Sequence, residues 1–206
     1  MNSLPATSPS ILHLLEAVRR GDAAAQAEVL GRYEPWLKLL ARLQIDSQFQ
    51  GKFSDSDVVQ QTLLEACRDL PRFRGATEVE LLAWLRQILA HVFAHEVRRY
   101  RGTQQRAIDR EISLEEALAR SSQRLGDVLV ESGSSPSVKV IKREQEVLLA
   151  DLLAKLPEEY REVIILRNLE GLSHEEVARR MGRSAGAVRM LWVRALARLR
   201  SALTGE

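Results

Sequence analysis

Apolar residues recur every three to four positions along almost the whole chain, and no stretch alternates at the two-residue period of a strand. The pattern predicts an all-α protein. Pro5 and Pro9 keep the first residues irregular, and a first helix runs from Ser10 to Arg19. A second opens at Gly21-Asp22 and carries Val29, Tyr33, Trp36, Leu37 and Leu40. The polar stretch from Asp46 to Asp57 reads as a loop ending in a capped helix start. The next helix, DVVQQTLLEACRDL, sets Val58, Leu63, Ala66, Cys67 and Leu70 on or near one side, where Cys67 reads as a small buried hydrophobe. Pro71 and Gly75 bracket a short turn. A long helix then spans Glu78 to Tyr100, with Leu81, Leu85, Ile88, Leu89, Val92 and Val97 available for packing, and its end is basic at Arg98, Arg99 and Arg101.

Gly102 marks the end of a first domain, residues 10–102. Residues 103–136 mix charge with serine, glycine and Pro136 and form the best candidate for a polar linker, although DREISLEEALARS has the composition of a short helix. A second domain covers 137–204: a helix from Val138 to Leu156, another with Pro157 in its first turn, then Gly171 as a stop. The predicted architecture is two helical domains joined by a polar linker.

The second domain closes on two short helices and a tight turn. Ser173 with Glu176 three residues on is a capping signature, and Val177, Ala178 and Met181 line one face. Gly182 suits a left-handed turn and Ser184 caps the next helix, whose apolar stripe is Val188, Leu191, Trp192, Ala195 and Leu199. Seven arginines and no acid lie between Val177 and Leu203. This is a helix-turn-helix with a basic surface, the form that fits a duplex major groove. In that reading Ser184 offers a hydroxyl and free amides to a phosphate. Arg189, one turn in, reaches base edges or a phosphate; Arg183 and Arg194 clamp the backbone, with Arg198 farther out. Met190 and Val193 are exposed apolar candidates for thymine methyls. The plainer alternative is an arginine-rich solvated face completing a bundle.

Composition narrows the picture further. Lys and Arg number 30 against 28 acids in 206 residues, so the net charge of +2 matters less than its distribution. One cysteine excludes an internal disulfide. No apolar run is long enough to span a membrane, and the first residues lack a secretion signal, so a cytoplasmic protein is the expectation. No phosphate-loop motif occurs, the four histidines are scattered, and the acids form no catalytic or metal-binding set, so neither an enzyme nor a cofactor is expected. His91 and His95, four apart on one helix, have the spacing of a metal pair but no third ligand.

Several segments carry a family likeness in the same order. DVVQQTLLEAC (57–67), LPRFRG (70–75), LLAWLRQILAHVFAHEVRR (81–99) and the stretch from Leu156 to Arg200 together resemble the bacterial RNA polymerase sigma factors of the extracytoplasmic-function group. The resemblance implies a dissociable subunit that binds core RNA polymerase and directs it to promoter DNA. It implies that the first domain engages the minus-ten element and that the helix from Ser184 reads the minus-thirty-five element. It sets Asp57, Gln60 and Gln61 against the polymerase clamp, with Gln61 standing where relatives carry glutamate and Glu65 and Asp55 as nearby acids. Arg98, Arg99 and Arg101 resemble the segment that meets phosphates beside the minus-ten element. His91 and His95 replace a common asparagine and aspartate there, which bears on base preference. The loop around Phe73, Gly75 and Thr77 corresponds to one that accepts a flipped base; Phe73 and Arg74 stack on or track a single strand, or Phe73 anchors the loop. Trp84 aligns with a common tryptophan and reads as core. Ala187 and Met190-Leu191 depart from the threonine and serine-arginine usual in the recognition helix. An anti-sigma protein is the regulatory partner that membership would bring.

Two other readings stay open at this level. A dimeric helix-turn-helix regulator predicts polymerase-independent binding to a two-fold symmetric site. A helical decoy that occupies polymerase predicts core binding without a promoter-specific transcript.

Overall fold

The computed structural model describes residues 10–44, 54–101, 116, 118, 120 and 144–204, with only the backbone described at 100, 101, 144, 145 and 204. Among the described residues every regular element is helical. In chain order these are α1 (Ile11–Arg19), α2 (Ala23–Gln44), α3 (Asp55–Asp69), a 3-10 turn (Leu70–Arg72) and α4 (Glu78–Arg101). There follow α5 (Glu144–Lys155), α6 (Glu158–Ile164), a π-helical turn (Ile165–Leu169), α7 (His174–Met181) and α8 (Ala185–Thr204). The expected loop at 46–53, the start of the helix expected from Val138, the first nine residues and most of 103–136 lie outside the described residues.

Helix α1 buries Leu14, Leu15, Ala17 and Val18 against α2. Gly21, at φ +88°, turns the chain, and the Asp22 carboxylate accepts from the amides of Ala24 (2.9 Å) and Ala25 (3.0 Å), capping α2. Pro35 sits inside α2, yet the helix continues. Its lost hydrogen bond is outweighed by the burial of Tyr33, Trp36, Leu37 and Leu40, each with no exposed surface. The Tyr33 hydroxyl donates to Glu78 (2.7 Å), tying α2 to the first turn of α4, and the Arg86 guanidinium lies 6.0 Å over the Trp36 ring.

Helix α3 begins two residues earlier than the sequence pattern suggests. Ser54 is its cap, accepting from the Asp57 amide at 3.0 Å. Its buried side is Val58, Val59, Thr62 and Ala66, with the Thr62 hydroxyl donating to the Val58 carbonyl at 2.7 Å. Cys67 is exposed, contrary to expectation. One residue beyond Ala66 is a rotation of about 100°, enough to carry a side chain off the packed stripe. Helix α4 opens with a capping box: the Thr77 hydroxyl accepts from the Glu80 amide (3.2 Å), and Glu80 accepts from the amides of Ala76 (2.8 Å) and Thr77 (3.0 Å). Those amides and the Thr77 hydroxyl hold the Glu80 carboxyl below the usual carboxylate range, the Ala76 amide most strongly.

In the second half, α6, α7 and α8 pack around Val163, Ile164, Val177, Val188, Ala195 and Leu199. Pro157 is the cap residue of α6, one position before its first turn. Helix α2 also lies against α5, and Arg42 forms an ion pair with Glu162 of α6. Within the stretch read as a linker, Glu116, Leu118 and Arg120 are helical and Leu118 is fully buried.

Candidate nucleic-acid interface

Helices α7 and α8 and the turn between them form a helix-turn-helix, built almost entirely by local signals. The Ser173 hydroxyl accepts from the Glu176 amide (3.2 Å), and the Glu176 carboxylate accepts from the Ser173 amide (2.8 Å). These bonds hold the Glu176 carboxyl below its ordinary range, with the Ser173 amide the largest cause. Gly182 ends α7 in the left-handed region (φ 63°, ψ 35°), a conformation that disfavours any side chain. The Arg183 amide then closes onto the Ala178 carbonyl at 2.9 Å. Ser184 caps α8: its hydroxyl accepts from the Ala187 amide at 3.2 Å and its carbonyl from the Val188 amide at 3.0 Å. Ser184 is exposed, so the amides of the first turn of α8 face outward from a helix N-terminus.

Helix α8 divides cleanly by face. Val188, Leu191, Ala195 and Leu199 are buried, as the periodicity predicts. Arg183, Arg189, Met190, Val193, Arg194 and Arg198 are exposed, with Met190 and Val193 more than half exposed (56% and 53%). Trp192 is half-buried at the edge of this core. Its indole N–H donates to the Asn168 side chain at 3.0 Å, and its ring meets His174 edge-on at 5.6 Å. Asn168 reaches it from the π-helical turn, whose wider spacing shows in the 2.9 Å bond from the Glu170 amide to the Ile165 carbonyl. Burial, followed by the nearby Arg167 and Arg189 charges, pushes the His174 imidazole below its ordinary value.

The arginines of the motif fall into two groups that the sequence does not distinguish. Arg180 pairs with Glu170 (2.5 Å), Arg183 with Glu159 of α6, and Arg189 with Glu175 of α7 (3.2 Å). Arg194 and Arg198 form no ion pair with any described residue. The acid-free run from Val177 to Leu203 is thus partly neutralised by three upstream glutamates that the fold brings to it.

A second candidate surface lies on α4. His91, His95 and Arg99 are exposed and Arg98 is half-buried on its second half, and Glu96 lies 3.5 Å from His95 and 3.8 Å from Arg99. Arg101 ends the helix; its side chain is outside the described residues. Phe73 is half-buried, its ring 5.1 Å from Trp84, and it folds over Gly75 so closely that a Cβ there would lie 2.2 Å from the ring. Arg19 donates to the carbonyls of Phe73 (3.4 Å) and Gly75. The loop is held in place by these contacts, with Arg74 exposed beside it. No group of three metal-ligating side chains occurs among the described residues.

A third surface is the outer side of α3, where Asp57, Gln60 and Gln61 are exposed and Glu65 is half-exposed, accepting from Gln61 at 3.1 Å. At its centre is Leu64, 66% exposed, which the sequence reading passed over. The signal was available: an apolar residue three to four positions after the Gln60-Gln61 pair belongs to the same polar face, not to the buried stripe.

The chain is similar in sequence to known proteins. The family model "Sigma-70, region 4" matches residues 146–199. The chain is 32% identical over 180 residues to the ECF RNA polymerase sigma factor SigD of Mycobacterium tuberculosis (strain ATCC 25618 / H37Rv), covering 87% of this chain and 77% of the relative. It is 31% identical to the RNA polymerase sigma-H factor of Pseudomonas aeruginosa, covering 85% and 84%. It is 30% identical to the ECF RNA polymerase sigma-E factor of Haemophilus influenzae, covering 85% and 86%.

Proposed function

Because this chain belongs to the extracytoplasmic-function group of sigma factors, which join core RNA polymerase and direct promoter-specific transcription initiation, we propose that it divides that work among the three surfaces described above. The helix from Ser184 enters the major groove of the upstream element. Arg189 meets base edges, Met190 and Val193 lie against thymine methyls, and Ser184, Arg183, Arg194 and Arg198 hold the phosphate backbone. The second half of α4, with His91, His95, Arg98, Arg99 and Arg101, follows the duplex beside the minus-ten element. The loop at Phe73 and Arg74 borders the opened strand. The outer face of α3, with Asp57, Gln60, Gln61 and Glu65 around the apolar centre Leu64, docks on the polymerase clamp. The functional units are residues 10–102 and 137–204, with 103–136 between them.

The observation that carries this reading is the division of α8: a buried apolar stripe edged by the half-buried Trp192 on one side and, on the other, exposed cations and apolar side chains beginning at a capped N-terminus. No helix among the described residues is long and apolar enough to cross a membrane, which suits action at the chromosome in the cytoplasm. An anti-sigma protein is the natural regulatory partner, and the chain itself carries no catalytic activity. Reconstituted run-off transcription with core polymerase on a genomic fragment library tests the reading. Discrete starts downstream of a shared, asymmetric two-part sequence are expected. Core binding without such starts makes the chain a decoy, and tight polymerase-independent binding to a symmetric site makes it a dimeric regulator.

A further inference from the structure

An arginine that reads a base must present two N–H donors in a fixed plane, whereas a free arginine on a helix surface samples many rotamers. A carboxylate that holds the guanidinium before DNA arrives removes part of that ordering from the binding step. Arg189 has such a partner. The Glu175 carboxylate, in the first turn of α7, lies 3.2 Å from its Nη2, across a sequence separation of fourteen residues. Both side chains are more than half exposed (57% and 60%), and exposed ion pairs add little to stability. An acid on a surface facing phosphates also opposes binding by like-charge repulsion. Beyond the favourable place any acid has in the first turn of a helix, the pairing of Glu175 with Arg189 adds little to the stability of the fold, and it does not add general affinity for DNA. From the first helix of the motif Glu175 engages one N–H of the Arg189 guanidinium on the second, leaving others of the five donors for a base.

We propose that Glu175 is a specificity-determining positioning residue, whose carboxylate orients Arg189 for a base edge at the expense of sequence-blind affinity. The inference rests on the reading of α8 as the groove-entering helix. Arg194 and Arg198, which form no ion pair with a described residue, are the contrasting case: phosphate clamps that need no fixed orientation.

The test uses the full chain bound to core polymerase. The probe is a duplex library carrying a promoter recovered by run-off transcription and randomised over its upstream element. Glu175→Gln is expected to reduce discrimination at one base position by about five- to tenfold, while binding to unrelated duplex strengthens and its salt dependence steepens. Glu175→Asp keeps an acid in the first turn of α7 but is one methylene short of the tether. It is expected to lose the same discrimination without the gain in unrelated binding, and with unchanged thermal unfolding. Adding Glu175→Gln to Arg189→Ala is expected to cause no further loss. If Arg189→Ala relaxes the preference but Glu175→Gln strengthens binding equally to all sequences, Glu175 is only a repulsive charge and the proposal is overturned while the groove reading stands. If Arg189→Ala leaves the preference unchanged, Arg189 does not read a base and both fail.

Discussion

Residues 10–101 and residues 144–204 both end in an exposed, arginine-bearing helix, but the arginines are held differently. On α4, Arg99 finds its carboxylate on its own helix, at Glu96, one turn away. On α8, Arg189 is held by Glu175 of α7, and Arg183, in the turn before it, by Glu159 of α6. A pair within one helix moves with that helix and survives any change in packing. A pair between helices exists only while the motif keeps its crossing angle. The first arrangement supplies charge along a track; the second supplies charge at fixed points. That difference suits a segment that follows phosphates and a segment whose contacts, proposed as Arg183 to the backbone and Arg189 to a base, must keep their places. The interiors differ in parallel: the first half is built around the large side chains Trp36 and Tyr33, the second around aliphatic residues set by caps and a turn.

The largest effect that can break this comparison is expected at Trp36. Trp36→Ala removes a fully buried indole and should lower the unfolding free energy by about 3–5 kcal/mol. Denaturant titration followed by far-ultraviolet circular dichroism should show helices of the first half lost early and those of the second retained. A single shifted transition would mean that the contact of α2 with α5 couples the halves into one unit.

A smaller effect is expected at the turn. Gly182→Ala meets no atom within 4 Å, so its effect is that of the left-handed backbone alone, about 1 kcal/mol. Thermal unfolding of the fragment 137–204 reads it directly. An unchanged midpoint would show that the turn relaxes to another conformation.

Smaller still is the effect expected at Arg194, proposed as a phosphate contact. Arg194→Ala should weaken upstream binding uniformly across sequences and reduce the magnitude of the salt slope by about one. A change in sequence preference would move Arg194 into the base-reading group and erase the contrast with Arg189.

The slightest effect concerns acid. His174 and Glu176 are both harder to protonate in the folded chain than in the unfolded one, so unfolding takes up protons and stability falls as pH falls. The contribution of His174 is complete above about pH 6.5 and is lost as pH falls through its lower folded value. That of Glu176 is complete above about pH 4.5 and is lost below it. Melting temperature against pH should therefore decline in two steps. Glu80, held low by the box that opens α4, shares the lower step, so Glu176→Gln should shrink that step while keeping the cap; an identical slope in that variant would assign the step to Glu80 and other carboxylates.

Much of the helix-turn-helix was legible residue by residue. Ser173, Glu176, Gly182 and Ser184 act through bonds that span three to five residues, so their spacing alone predicts their partners. The Thr77–Glu80 box that opens α4 has the same three-residue spacing and is equally legible. Cys67 failed because it lies just off the buried stripe, where a rotation of one residue decides burial and composition does not. Phe73 stood between two readings until its ring was seen against Trp84 and over Gly75.

The sequence by itself therefore determined what depends on near neighbours: helices, caps, the left-handed turn and which face of α8 is apolar. The tertiary structure alone decided what depends on residues far apart. It brought Glu159, Glu170 and Glu175 to an arginine run that has no acid of its own. It buried Leu118 inside a stretch that reads as polar, and set α2 against α5. Backbone hydrogen bonds and caps are satisfied within a turn or two, so their partners follow from spacing. An ion pair or a packed surface needs two segments to meet, and which segments meet is fixed only when the whole core closes.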